Sequence, residues 1–175
     1  YRGQANKFWA LLPTLNRTFY TESLGMSSPT KYNTDENKMI SDFNLKSQAF
    51  FDKELDHFNK VDKLALMQHY GIPTRLLDFS ESPLVALYFA LNDNYINECH
   101  GLAYPCIWML DITAFEANKK GLISSENIDQ NFNEKKGDLV FCPKLKDKRQ
   151  QAQKSIFVAC CKSGNTPLED CEDLE

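Results

Sequence analysis

An α+β fold is what this sequence predicts, and two observations predict it. Apolar residues recur at helical spacing through the first half, up to Leu91. Short runs rich in β-branched and aromatic residues occupy the second half, from Cys106 to Cys161. Helices that come early and strands that come late segregate into an α+β core. The 175 residues suit one domain over 1–175, long enough to bury a substantial core. The chain begins at Tyr1 rather than Met, so a piece of a longer protein is expected.

Tyr1 to Gln4 reads as the end of a strand, in which Gly3 lets backbone approach a ligand or a neighbouring strand closely. Phe8-Trp9-Ala10-Leu11-Leu12 is apolar and stops at Pro13. Thr21 to Asn37, rich in Ser, Thr, Asn and Pro, predicts a surface loop. Ile40, Phe43, Phe50, Phe51, Leu55 and Phe58 then predict one long helix. A second helix starts near Asp62 as N-cap and ends at Gly71 as the residue after the C-cap, with Pro73 beyond it. Ser82 as N-cap and Pro83 as first helical residue open a third helix. Leu84, Leu87, Tyr88 and Leu91 form its apolar stripe, widened by Val85 and Phe89, which predicts a deeply buried helix.

Strands are predicted at Cys106–Ile112, Asp138–Phe141 and Ser155–Cys161. Leu122–Lys136 reads as loop with some helix, and the acidic stretch Glu169–Glu175 as a frayed tail. No internal repeat is visible.

Charge and cysteine content narrow the function classes. With 20 basic and 24 acidic residues the net charge is −4, so no global basic field draws in nucleic acid, although a local basic cleft remains compatible. None of the six cysteines forms a C-x-x-C pair, which leaves zinc little support, and no metal site is expected. Adjacent Cys160 and Cys161 should face opposite sides of a strand. Reduced thiols in a cytoplasmic protein are the expected state. No apolar run approaches the roughly 20 residues of a membrane span, so no membrane partner is expected.

Three blocks carry a family resemblance. The first is Tyr1-Arg2-Gly3-Gln4, followed by Leu12-Pro13-Thr14-Leu15-Asn16-Arg17. The second, the most specific, is Gln68-His69-Tyr70-Gly71-Ile72-Pro73-Thr74-Arg75-Leu76-Leu77-Asp78, continued by Ser80-Glu81-Ser82-Pro83-Leu84-Val85-Ala86-Leu87-Tyr88-Phe89-Ala90. The third is Arg149, Gln153 and Phe157, with Ser155 where the pattern has glycine. Together they resemble the FRG domain family, with Tyr1 in the aromatic place of its Phe-Arg-Gly signature.

The same pattern is distantly similar to ADP-ribosyltransferases. Those have an arginine on a first strand, Ser or Thr before an apolar helix of the form Ala-x-x-Phe-Ala, and a late Glu or Gln. Arg2, the Ser80/Ser82 pair and Gln153 fall in that order. The resemblance implies an ADP-ribosyltransferase-like split β-sheet core with an N-terminal helical portion. It implies a transferase that takes NAD as substrate, releases nicotinamide and passes ADP-ribose to a protein or nucleic-acid acceptor. A toxin or phage-defence effector is the setting it suggests. Such analogy across families informs fold more than function.

The site implied has Arg2, Ser80 and Gln153 as catalytic residues. Arg2, Gly3, Gln4, His69, Tyr70, Thr74, Arg75, Ser80 and Ser82 would bind the dinucleotide. A fixed guanidinium at Arg2 suits a diphosphate, and it equally suits an ion pair with a carboxylate such as Asp78. Tyr70 can stack on a ring and His69 can donate to a ribose hydroxyl, or His69 can simply face the negative end of its helix. His57 and His100 are read as surface residues. Arg75 is expected to pair with Asp78 or Glu81 through the neighbouring turn. Ser82 has a structural role open to it as an N-cap, so Ser80 carries more of the functional expectation, and helix amides beyond Pro83 can face a phosphate.

Gln153 decides the chemistry. An acid there would stabilise positive charge developing on the ribose, whereas glutamine only hydrogen-bonds to the hydroxyl. Gln150 and Gln151 lie close by, and strand register selects which side chain points inward. Glu81 is a reserve candidate for the acid. Two alternatives stay open: a nucleotide or nucleic-acid binding module without catalysis, and a protein-interaction or regulatory domain in which these polar groups knit the core.

Overall fold

The computed structural model describes residues 1–17, 36–51, 54–92, 104–115, 118, 121–128, 138–144, 148–160 and 167–170. Strand β1 (Arg2–Gln4) leads through a helical turn at 14–17 to helix α1 (Glu36–Phe51). A 3-10 turn (Glu54–His57), helix α2 (Lys60–His69), strand β2 (Leu76–Ser80) and helix α3 (Pro83–Ala90) follow. Strands β3 (Cys106–Trp108), β4 (Ile123–Ser124) and β5 (Leu139–Cys142), helix α4 (Lys148–Ala152) and strand β6 (Ser155–Ala159) complete the main elements, with further 3-10 turns at Ile112–Ala114, Ser125–Asn127 and Leu168–Asp170. The mixed α+β class holds.

The strands form two sheets, β1-β3 and β2-β6-β5-β4. All pairs are antiparallel except β4 with β5. Side chains alternate across the larger sheet, and both of its faces are buried. Leu76, Leu139, Phe141, Phe157 and Ala159 point to one side and pack with Val61, Leu64, Ala65 and Met67 of α2. Leu77, Phe79, Val140, Ile156 and Val158 point to the other and pack with Leu11, Phe115 and Leu168. A period of two that buries apolar groups on both faces explains why these strands read as continuous apolar runs.

The structure corrects several element boundaries. Glu36 and Asn37 already belong to α1, while the rest of the predicted loop (21–35) lies outside the described residues. The expected single helix ends at Phe51, and Leu55 sits in a separate 3-10 turn. Helix α2 is capped by Asn59, whose side chain accepts from the Asp62 amide at 2.9 Å. Asp62 is a buried first-turn residue that accepts from Lys144 N–H, so it is not the cap. Gly71 does close the helix, with a φ of +78° that favours glycine. Strand β3 stops at Trp108 rather than Ile112, β5 begins at Leu139, and β6 ends at Ala159. Cys99, His100 and Cys161 lie outside the described residues.

The frayed tail is corrected where it is described. Both oxygens of Glu169 accept from the Leu11 amide at 3.1 and 3.0 Å, and Leu168 N–H donates to the Leu11 carbonyl. This end of the chain therefore fixes the Phe8–Pro13 segment, and buried Leu168 joins the core behind it.

The largest correction concerns α3. Leu84 and Tyr88 are 74% and 66% exposed, and Leu87 and Leu91 face outward with them. The helix buries Ala86 and Ala90 against β1 instead. Small side chains let the helix axis approach the strand closely, so the face that packs is the least bulky one.

No helix among the described residues is long and apolar enough to cross a membrane. No cluster of His, Cys, Asp and Glu among them is arranged to hold a metal. Burial pushes the Cys106 thiol up, against smaller opposing effects of Lys7 and of a hydrogen bond with Trp108, so this cysteine is a thiol rather than an activated nucleophile.

Candidate functional site

A cleft of about 860 Å³ opens where β1, the ends of β2 and β6, and helices α2 and α3 meet. Pockets for small molecules run to roughly 300–1,000 Å³. Backbone pairing builds its base: the Tyr1 nitrogen donates to the Ser80 carbonyl at 2.7 Å, and the Ser80 amide donates to the Tyr1 carbonyl at 2.7 Å. That exchange ties the start of β1 to the end of β2. Asp78 opposes Phe157 and Ser80 opposes Ser155 across the β2–β6 pair, so all four present the same face of the sheet. That row begins in the core with Leu76 and runs out into the cleft, which Asp78, Ser80, Ser155 and Phe157 line.

Arg2, Gly3, Gln4, His69, Ser80 and Gln153 all line this cleft. Arg2 is fixed by an Nη1 hydrogen bond to the Asp78 carbonyl at 2.7 Å. Its partner on Asp78 is thus the main chain, not the carboxylate that an ion pair would use. Gln4 is buried, and its Oε1 accepts from Trp108 Nε1 at 2.6 Å. Gly3 meets α3 rather than empty space. A Cβ there would stand 1.8 Å from the Ala86 carbonyl oxygen.

Ser80 joins the two ends of the site. Its hydroxyl donates to the Gln153 carbonyl at 2.6 Å, and the same oxygen accepts from the Ser82 amide at 3.0 Å. Gln153 sits in the turn between α4 and β6, not on the strand. Lys154 completes that turn in a left-handed conformation (φ +47°), and its carbonyl accepts from Glu81 N–H. Gln150 lines the cleft as well, whereas Gln151 is exposed. The choice among the three glutamines is made by a helix end and a turn, so strand register does not enter.

Four expected binding residues stand elsewhere. Tyr70 is 57% exposed and packs edge-on against His69, outside the cleft lining. Arg75 turns to Glu36, with Nε to Oε1 at 2.6 Å, while Lys60 approaches the other oxygen at 3.3 Å. This partly buried pairing replaces the expected Asp78 or Glu81 partner and joins the start of α1 to the start of β2. Ser82 occupies the N-cap of α3 without a side-chain capping bond. Thr74 is fully buried; its hydroxyl donates to Gln68 Oε1 and accepts from the Leu76 amide at 3.2 Å. Gln68 in turn donates from Nε2 to Asp78 Oδ2 at 2.6 Å.

Several cleft residues were not anticipated. Phe8, Trp9 and Phe89 supply aromatic wall, and Arg17, Gln68 and Asp78 supply polar groups. Arg17 is held by an Nε bond to the Leu12 carbonyl at 3.1 Å. Phe8 and Trp9 belong to the apolar run ending at Pro13 and stay exposed (72% and 39%), although Leu11 and Leu12 of that run join the core. The described lining thus combines two guanidiniums, an imidazole, aromatic faces and one carboxylate, that of Asp78. Donors of this kind beside aromatic surface suit an anionic ligand that carries a flat ring.

Comparison with known proteins adds one positive result. The family model described as the FRG domain matches residues 1–98, which hold β1, α1, α2, β2 and α3 but stop short of Gln153. No curated protein and no solved structure gave a significant match.

Proposed function

This chain belongs to the FRG domain family, and from that premise we propose that it is an NAD-dependent ADP-ribosyltransferase-like domain. One observation carries the reading: Arg2, Ser80 and Gln153, from three separate parts of the chain, line a single cleft. Its volume of about 860 Å³ is ample for a dinucleotide. In this reading the Arg2 guanidinium, held on the Asp78 carbonyl, binds the diphosphate. Gln153 hydrogen-bonds to the ribose hydroxyl, and Ser80 keeps the Gln153 turn in register with β2. The ring faces of Phe8, Trp9 and Phe89 are available to the adenine or nicotinamide. The acceptor is a protein or nucleic-acid group, or water in its absence.

The test is nicotinamide release from NAD by the wild-type domain and by Gln153→Ala. Release by the wild type, reduced about tenfold or more in the variant, supports the transferase. Absence of release together with no NAD-dependent rise in melting temperature counts against it.

A second reading is favoured by one detail, the neutral amide at Gln153. A nucleotide-binding module without turnover needs no acid there. It predicts that NAD raises the melting temperature while no nicotinamide forms.

A further inference from the structure

We infer that Asp78 supplies the negative charge that Gln153 lacks, acting on the ribose as its glycosidic bond breaks. The inference rests on the transferase reading above and adds the residue that bears the chemistry. Among the described residues lining the cleft, Asp78 is the one carboxylate. Glu81 is exposed, its amide is taken up by the Lys154 carbonyl, and it does not line the cleft.

The surroundings of Asp78 are arranged as a positioning network. Alternation along β2 sends Leu77 and Phe79 into the core and leaves Asp78 on the cleft face, opposite Phe157. A carboxylate only accepts, so the Gln68 amide turns its NH₂ end to Asp78 and leaves Oε1 to accept from the Thr74 hydroxyl. The Gln68 NH₂ end is then directed at Asp78, where it donates to Oδ2 at 2.6 Å. The Thr74 hydroxyl is itself oriented by accepting from Leu76 N–H, so the chain of bonds runs from buried backbone to the cleft. The Asp78 carbonyl meanwhile holds Arg2 at 2.7 Å. One residue therefore sets the guanidinium with its main chain and presents a carboxylate with its side chain.

The step balances without a further reagent. The bond from ribose C1′ to the nicotinamide nitrogen breaks, and its electron pair leaves with neutral nicotinamide. Positive charge develops on the ribose carbon and ring oxygen, where a nearby carboxylate stabilises it. A nucleophile, water in the simplest case, closes on C1′ and gives a proton to solvent, leaving ADP-ribose.

The experiment uses the whole domain with Asp78→Asn and, as a second charge-free variant, Asp78→Ser. Asn keeps an oxygen for Gln68, so the hydrogen bond survives while the charge is removed. Three quantities are read: melting temperature, NAD affinity by titration calorimetry, and nicotinamide released at saturating NAD. The expected result is affinity within about threefold of wild type and turnover lower by about 100-fold, with Asp78→Glu recovering part of it. Turnover unchanged in a folded charge-free variant overturns the inference and leaves the transferase reading intact. A wild type that binds NAD but releases nothing overturns the inference in favour of a binding module. A wild type that does not bind NAD overturns both.

Discussion

Gly3→Ala is expected to lower stability by about 3 kcal/mol, the upper part of the usual range for overpacking. The added Cβ would lie 1.8 Å from the Ala86 carbonyl oxygen and 2.7 Å from the Ala90 nitrogen. Both are backbone atoms of one turn of α3, so no side-chain rotation relieves the contact. The helix has to withdraw from β1, and Ala86 and Ala90, now buried, lose their cover. For a domain of this size the melting temperature should fall by roughly 6–12 °C. Gly71→Ala provides the comparison. Nothing lies within 4 Å of a Cβ there, and only its φ of +78° resists the change, so a cost of about 1 kcal/mol is expected. Thermal and urea melts of the two variants measure the difference. Equal effects would show that α3 does not rest on β1 as closely as described.

Arg2→Ala is expected to weaken NAD binding by roughly 10–100-fold, the value of about 1.5–3 kcal/mol for hydrogen bonds to a charged group. The fold should survive. Arg2 bonds to a carbonyl at the rim of the cleft, and loss of such a bond costs about 1 kcal/mol. Arg2→Lys keeps a positive charge but loses the planar fork, so its affinity should fall between the two. Titration calorimetry with NAD checks the affinity, and a thermal melt of each variant checks the fold. Unchanged affinity in a folded Arg2→Ala variant would remove the guanidinium from the ligand site.

Local chemistry explains which parts of this architecture were legible in the sequence. The end of α2 at Gly71, the start of α3 at Ser82-Pro83 and the strand character of 139–142 and 155–159 depend on near neighbours, and all were readable. Contacts distant in sequence were not. Arg75 finds Glu36, 39 residues away, because α1 returns to the start of β2, and nothing near Arg75 announces that partner. Glu169 reaches back to Leu11 in the same way.

The packing face of helix α3 is hidden in the sequence for a different reason. A segment that is apolar all round gives no stripe to separate inside from outside, and bulk argued for Leu84, Leu87, Tyr88 and Leu91. The close approach permitted by Gly3 reverses the answer, since only alanines fit against it.

The site divides along the same line. Arg2 and Ser80 lie in the segment that the family model matches and Gln153 lies beyond it, and all three line the cleft. Thr74 and Arg75 belong to the same Gln68–Asp78 block as His69, yet their side chains serve the fold by holding Gln68 and Glu36. Alternation alone separates Asp78 from Leu77, but that its face opens into the cleft is visible only with β2 paired to β6.

Whether the cleft holds a dinucleotide is decided by the structure of the domain bound to an NAD analogue with an uncleavable glycosidic bond. The diphosphate is expected against Arg2 and the nicotinamide ribose between Gln153 and Asp78, within the cleft lined by Phe8 and Trp9. An analogue that binds on another face, or a cleft that remains empty at saturating analogue, would contradict that placement.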